Sequence, residues 1–467
     1  MEKLNDKCLP NKEMFHNILR NSSISDSDYN HALTVFEAFE CKTFSNYLEI
    51  YENVDVVMLA EIFLSFRRTS MQSYHLDPVH FITSAQLTWN AGLKISKVEL
   101  QLLGNVNEYL WFEKSMRGGV CLLGRRHAIA NNPYIAENYD ETLPSNYILA
   151  LDANNFYGFA MSQFLPVGNF SWLDSEELSK FDVLELEEDS DIGYILEVDL
   201  LYPEHLHNMH NDLPLAPEHV LITYDISNYS KNLCDEFSLK STLPSKKLTP
   251  NFFPKTNYVT HCLNLKFYLE QGMILTKIHR ILAFKQSPWL KSYIDFNNKK
   301  RIEANSEFQK SFFKKMNNSF FGRTMINVRR KISIKGSLTA EGCKKNVSSP
   351  LLDYFEPIND NLTLFKMKKP NLVLDKPIFI GFCVLELSKL QMFKLYYTHF
   401  KSYYGSKCEL LYSDTDSLYM NIETKDVYQD LRRKFKGILD LSNFERDSPM
   451  FDDSNKGKLG LLKSETL

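Results

Sequence analysis

Leu410-Leu411-Tyr412-Ser413-Asp414-Thr415-Asp416-Ser417-Leu418-Tyr419-Met420 enters on an apolar run, crowds two carboxylates at its middle and leaves on a second apolar run. That pattern predicts a β-hairpin turning at the acids. A hairpin with only a structural task turns on Asn-Gly or Asp-Gly. Two carboxylates on one tight turn repel each other unless something positive sits there. Oxygen donors so arranged suit Mg²⁺ or Mn²⁺. Asp-x-Asp alone is weak, since it also occurs in solvated turns and in the metal sites of sugar transferases.

A third acid changes the weighting. Asn146-Tyr147-Ile148-Leu149-Ala150-Leu151-Asp152 is an apolar strand ending in Asp, and the stretch through Phe156, Tyr157 and Met161 can turn into a short helix. The bland role for Asp152 is a cap for that helix. Set beside the hairpin, it predicts three carboxylates at one sheet edge. Such a set can hold two divalent ions about 3.5–4 Å apart for in-line phosphoryl transfer.

The next signal is basic. Ser306 to Arg323 reads as one amphipathic helix, with Lys310, Lys314 and Asn318 on one face and Gly322 as its stop. Phe308, Phe312, Phe313, Met316 and Phe320 are free to pack. Between Lys299 and Lys335 the only acids are Glu303 and Glu307. A charge run is ordinarily a solvated face. Here it shares a helix with a large apolar face, so the cations are directed, as a triphosphate or a nucleic-acid backbone requires.

In this order the three elements resemble the family B DNA polymerases, most of all the protein-primed branch of viruses, organelles, linear plasmids and Maverick/Polinton transposons. Asp152-Ala153-Asn154-Asn155-Phe156-Tyr157-Gly158 is similar to the family's Asp-x-x-Ser-Leu-Tyr-Pro. Lys314 through Asn318-Ser319-Phe320-Phe321-Gly322 is similar to Lys-x-x-x-Asn-Ser-x-Tyr-Gly, and Tyr412 to Ser417 to Tyr-x-Asp-Thr-Asp-Ser. Arg117-Gly118-Gly119 resembles the Tyr-x-Gly-Gly joining segment. Four departures stand out: Asn155 for Ser, Gly158 for Pro, Phe321 for Tyr and Met116 for Tyr.

The resemblance implies an α+β right-hand polymerase fold: an antiparallel palm sheet, helical fingers, a partial exonuclease remnant and a truncated thumb. The implied parts are 1–110 as exonuclease remnant, 111–199 as first palm segment, 200–287 as an insertion like the terminal-protein region, 288–335 as fingers, 336–425 as second palm segment and 426–467 as the start of a thumb. It implies a DNA-directed DNA polymerase that uses two Mg²⁺ ions, replaceable by Mn²⁺, for replication of a virus or mobile element. The implied partners are a DNA template-primer, dNTP and, where a protein primes, a terminal protein. Asp152, Asp416 and the Ala153 carbonyl would hold the ions, with Asp414 a weaker or water-mediated ligand. Tyr157 would lie under the incoming sugar, with Phe156, Asn318 and Phe321 beside the nucleotide. Lys314 would bind the triphosphate, helped by Lys310 and by Arg301 from a preceding helix over Lys291 to Ala304. Arg117, Gly118, Gly119, Gly322, Tyr412 and Thr415 would meet DNA.

Tyr51 and Asp55 match the last exonuclease block of that family, and the earlier acidic blocks are not in the chain. The expectation is therefore no 3′–5′ exonuclease from this chain alone. Degradation of a mismatched primer by the purified chain would contradict it. The chain likewise stops before the Lys-x-Tyr that follows the hairpin motif in the family, so the thumb is expected to be cut short.

The net charge of −4 excludes a globally basic nucleic-acid binder, so any DNA contact depends on a local basic groove. Eight cysteines without a CxxC pair argue for reduced thiols in an intracellular setting, the nucleus if the gene belongs to a eukaryotic mobile element. No signal peptide or membrane-spanning run is evident. His205, His207, His210 and His219 invite a zinc site, but no cysteine is near and a surface loop is the simpler reading. Gly381 to about Tyr404 predicts a helix packed behind the hairpin, its tyrosines serving as packing residues. Two rivals stand beside a polymerase: a nucleotide-sugar glycosyltransferase using Asp414 and Asp416, and a catalytically impaired nucleic-acid-binding remnant. The sequence leaves the oligomeric state open.

Overall fold

In the computed structural model, which describes residues 2–135, 139–223, 227–239 and 244–465, strands Cys408–Asp414 and Ser417–Glu423 pair antiparallel, with Asp414 opposite Ser417. Leu410, Leu418, Met420 and Ile422 are buried, which anchors the register from one face. The tip is strained: Thr415 takes φ 63°, a left-handed conformation that a β-branched residue resists. It is held there by its amide, which donates to the Val120 carbonyl at 2.9 Å, and by the Asp416 amide, which donates to the Asp414 carbonyl at 2.6 Å.

The hairpin supplies the second and third strands of a six-stranded sheet. Its order is Cys121–Leu123, Cys408–Asp414, Ser417–Glu423, Asn146–Ala153, Leu462–Ser464 and Leu439–Asp440, and only the last pair is parallel. Helix Ile378–Phe393 buries every side chain except Gln391. A helix apolar on all sides belongs inside a core. It starts three residues before the expected Gly381, directly after Pro377, and runs on through a π-helical stretch, Lys394–Lys401, to Tyr404. In the wider stretch the Tyr396 hydroxyl and Lys401 both donate to Asp212, at 2.5 and 2.6 Å. Tyr396, Tyr397 and Tyr404 are buried packing residues.

A second antiparallel sheet, ordered Leu165–Trp172, Ile274–Ser287, Ile192–Leu201 and Lys255–His261, joins this core through buried charge. Glu386, on the buried helix, accepts from Arg117 at 3.3 Å and from Thr260 at 2.9 Å, and pairs with Lys389 at 3.2 Å. The Arg117 guanidinium also donates to the Val259 carbonyl and lies 4.0 Å from the Tyr258 ring centroid.

The chain divides into two compact units, Met1–Ile82 and Thr83–Leu467. The first carries helices Asp26–Ala38 and Phe44–Tyr74; Thr43 and Asn46 form a capping box for the second, which ends at His75 with φ 53°. Residues 83–110, grouped from sequence with the N-terminal segment, pack within the larger unit. The reason is Phe320, whose ring sits against helix Ser84–Ser96 so closely that a Cβ on Gly92 would lie 2.3 Å from it.

The histidines of the 200–287 segment do not converge. His210 Nδ1 lies 2.7 Å from the Tyr202 hydroxyl, and His207 stacks on Phe252 at 4.2 Å. Burial holds both His210 and His261 down at about 4. A histidine depressed on folding contributes stability above its unfolded value and loses it as pH falls toward the folded value. Each should cost about 2–3 kcal/mol between pH 7 and pH 4.5. Urea midpoints at the two pH values would show it, and His210→Gln should remove about half of the difference.

Candidate active site

One row of residues crosses the sheet at the hairpin end: Cys121, Asp414, Ser417, Asp152 and Lys463, each opposite the next. Partners in register share a face. Asp414 and Asp152 are thus on the same face but two strands apart, roughly 10 Å of backbone. Asp416, in the turn, closes the gap: its carbonyl accepts the Ala153 amide at 2.8 Å, which ties the end of the Asp152 strand to the hairpin.

The acids sense one another. Asp152 is pushed up to about 6, first by burial, then by the charges of Asp416 and Glu465, against the Ala153 amide and Lys314, which lower it. Asp416 is also raised, mainly by burial and further by Asp414, with Lys314 again opposing. Asp152 and Asp416 therefore form a half-buried pair, with Asp414 exposed at the flank and its Oδ1 3.4 Å from the Thr415 hydroxyl. Among the described residues no group of three or more His, Cys, Asp or Glu side chains converges enough to hold a metal ion. The donors are hard carboxylate oxygens carrying mutually destabilised charge, a set that fits Mg²⁺ or Mn²⁺ in chemistry.

Helix Glu307–Asn318, capped by Ser306, brings Lys314 to this pair. Phe312, Phe313 and Met316 are buried, and Tyr293 donates to the Met316 carbonyl at 2.9 Å. The single helix expected to Arg323 is interrupted at Ser319 and resumes over Phe320–Thr324. Gly322 is inside that second helix instead of stopping the first. The interruption lets Phe320 bury completely while Phe321 meets Tyr157, ring centroids 4.4 Å apart. Tyr157 is itself raised by burial and then by Asp416 and Asp414, which places it beside the acids. Phe156 is buried beneath it, and Asn155, at φ 42°, fills the space that the missing Cβ of Gly158 leaves. Asn318 is exposed at the end of its helix.

Arg301, on helix Lys291–Glu303, and Lys310 line one open cavity together with Asn154, Asn155, Lys456 and Lys463. Lys310 is paired with Glu307 at 2.6 Å. Lys456, Lys463 and Glu465 were missed from sequence. The last two sit on or beside the three-residue strand Leu462–Ser464, too short for a periodic signal, though its Lys-Ser-Glu alternation was visible.

Gly119 packs under the turn: a Cβ there would lie 2.5 Å from the Thr415 side chain, whereas nothing lies within 4 Å of one on Gly118. Gly119→Ala should cost about 1–3 kcal/mol, readable as a lower thermal midpoint, and Gly118→Ala almost nothing. Tyr412 meets Tyr419 edge-on at 5.4 Å. Arg117, expected to meet DNA, is buried, with its guanidinium bonded to Glu386 and to the Val259 carbonyl. Tyr51 and Asp55 are exposed on the long helix of the first unit.

The structure is similar to solved structures of phi29 DNA polymerase. One, complexed with primer-template DNA, has a TM-score of 0.48 at 16% identity and covers 88% of this chain and 55% of that one. An orthorhombic crystal form has a TM-score of 0.49 at 13% identity, covering 95% and 58%. A ternary complex with primer-template DNA and incoming nucleotide has 0.44 at 14%, covering 95% and 58%. The chain spans little more than half the length of these structures. No family model and no curated protein matches it. Among the described residues no helix is long and apolar enough to cross a membrane.

Proposed function

We propose that the chain is a DNA-directed DNA polymerase that adds dNTPs to a primer on a DNA template. What carries this reading is the meeting of Asp152 and Asp416 at one sheet edge under Lys314, with the Tyr157–Phe321 pair alongside. In this reading the six-stranded sheet is the palm and the helices from Lys291 to Thr324 are the fingers. Asp152, Asp416 and the Ala153 carbonyl would hold Mg²⁺, with Asp414 nearby. Bound there, the divalent ions would acidify the attacking hydroxyl and offset charge on the phosphates.

The chain's own groups do the rest. Lys314 brings a fixed positive charge to the place where negative charge builds on the leaving phosphates. Lys310 and Arg301 extend that field along the cavity they line. Tyr157 offers a rigid ring, backed by Phe321, as a floor for a deoxyribose. Its bulk would clash with a 2′-hydroxyl. Tyr157→Ala should therefore raise ribonucleotide incorporation relative to dNTP by about 10- to 100-fold, since the clash supplies the discrimination. Competition between dNTP and rNTP on one primer measures it.

The deciding experiment is primer extension by the purified chain with Mg²⁺ and dNTPs, run beside turnover of a UDP-sugar. Extension supports a polymerase and sugar-nucleotide turnover a glycosyltransferase. DNA binding without extension leaves a non-catalytic remnant.

A further inference from the structure

The strands that bring the acids together run on to a second site. Ser417 to Glu423 spans roughly 20 Å, and helix Val427–Lys434 follows at the far end. Beside that helix a cavity of about 780 Å³ opens, its lining including Tyr134, Tyr428, Arg432 and Arg433 together with Asp426 and Gln429, and Phe444 and Met450 as an apolar wall. It lies in the size range of small-ligand sites. The Tyr134 and Tyr428 rings meet edge-on at 5.0 Å, and Tyr134 is 61% exposed, so an aromatic face is open to a ligand.

Among the described residues the charge around it is not self-compensated. Asp426 is engaged: it accepts the Gln429 amide at 3.1 Å and the Tyr134 hydroxyl at 3.3 Å. Asp430 accepts from Tyr404 at 3.1 Å and from Thr424 at 2.8 Å. Arg433 donates to the Gln429 side chain at 3.3 Å. Both arginines are exposed, and neither has a carboxylate partner among the described residues. Arg432 and Arg433 both line the cavity, and guanidinium groups are matched in shape and charge to a phosphate. Aromatic faces with a Phe and Met wall suit a planar heterocycle. Asp426 and Gln429 add polar groups for its exocyclic edge.

We propose that this cavity binds a nucleoside phosphate unit, its base against Tyr134 and Tyr428 and its phosphate on Arg432 and Arg433. The site is separate from the acids and stands whether or not they catalyse polymerisation. A free nucleotide and the 5′-phosphorylated end of a single strand present the same chemistry.

The test uses the full chain carrying Asp152→Asn and Asp416→Asn, in EDTA, so that binding at the acids is suppressed. Anisotropy of 3′-labelled (dT)₆ is read with and without a 5′-phosphate. The phosphorylated strand should bind at least about tenfold tighter, since one phosphate meets two arginines. Arg432→Glu with Arg433→Glu, both at exposed positions, should erase the difference and lower the salt slope by about 0.7 for each phosphate no longer neutralised. Tyr134→Ala should weaken binding about 5- to 100-fold through lost stacking. Unlabelled dTMP competing as well as the strand would support a free nucleotide as ligand; weak competition with strong strand binding would support a strand end. Affinity indifferent to the 5′-phosphate and to these substitutions, or stronger competition by an oligoglutamate peptide, would overturn the proposal.

Discussion

Asp416→Ala and Asp152→Ala should each lower metal-dependent dNTP incorporation by about 10³-fold or more, while the affinity for primer-template changes little. Removing either carboxylate takes away charge that would hold Mg²⁺, and metal charge stabilisation is worth several kcal/mol of barrier. Single-turnover extension read beside an electrophoretic binding assay separates the two effects; incorporation at the parental rate by either variant would end the proposal. The same pair makes a second, opposite forecast for stability. Asp152 is raised in the folded state by burial, by Asp416 and by Glu465. A carboxyl raised on folding contributes stability below its unfolded value and loses it as pH rises through about 6. Asp152→Asn should therefore raise stability in EDTA at pH 7.5 by about 1 kcal/mol once the solvent reaching this half-buried group is allowed for, read as a higher thermal midpoint. Better folding with lost turnover is the mark of a charge pair kept for chemistry.

Glu386→Ala should destabilise the larger unit by about 3–5 kcal/mol. Glu386 is fully buried and is the counter-charge of both Arg117 and Lys389. Removing it strands two buried cations. Those charges lower Glu386 despite the burial that opposes ionisation, and burial in turn lowers Lys389 to about 8. Urea unfolding measures the cost. Arg117→Ala gives a sharper comparison: a residue that contacts DNA would lose affinity at unchanged stability, and one that links sheet to helix would lose stability first. The buried geometry predicts the second result.

Much of the local architecture was legible. The hairpin was readable because two-residue alternation of apolar side chains flanks a turn, and that pattern is set within about ten residues. The strand that carries Asp152 was readable as a short apolar run, and the helix that carries Lys314 as a repeat of apolar side chains at helical spacing. Gly322 misled because a glycine near a helix end usually stops it, whereas here burial of Phe320 interrupts the helix at Ser319. The burial of Arg117 was not readable, because an arginine beside two glycines looks the same in sequence whether it is exposed or paired with a glutamate 269 residues away.

From sequence alone came the hairpin with its two acids, the strand delivering a third and the helix carrying Lys314, since each depends on periodicity within one segment. Tertiary structure alone decided that Asp416 and Glu465 are the neighbours whose charge raises Asp152, that Lys463 stands opposite it, and that Phe321 backs Tyr157. Those pairings join segments distant in the chain. Their register comes from the strand ladder and from which rings fit into the core, and no local pattern of residues encodes either.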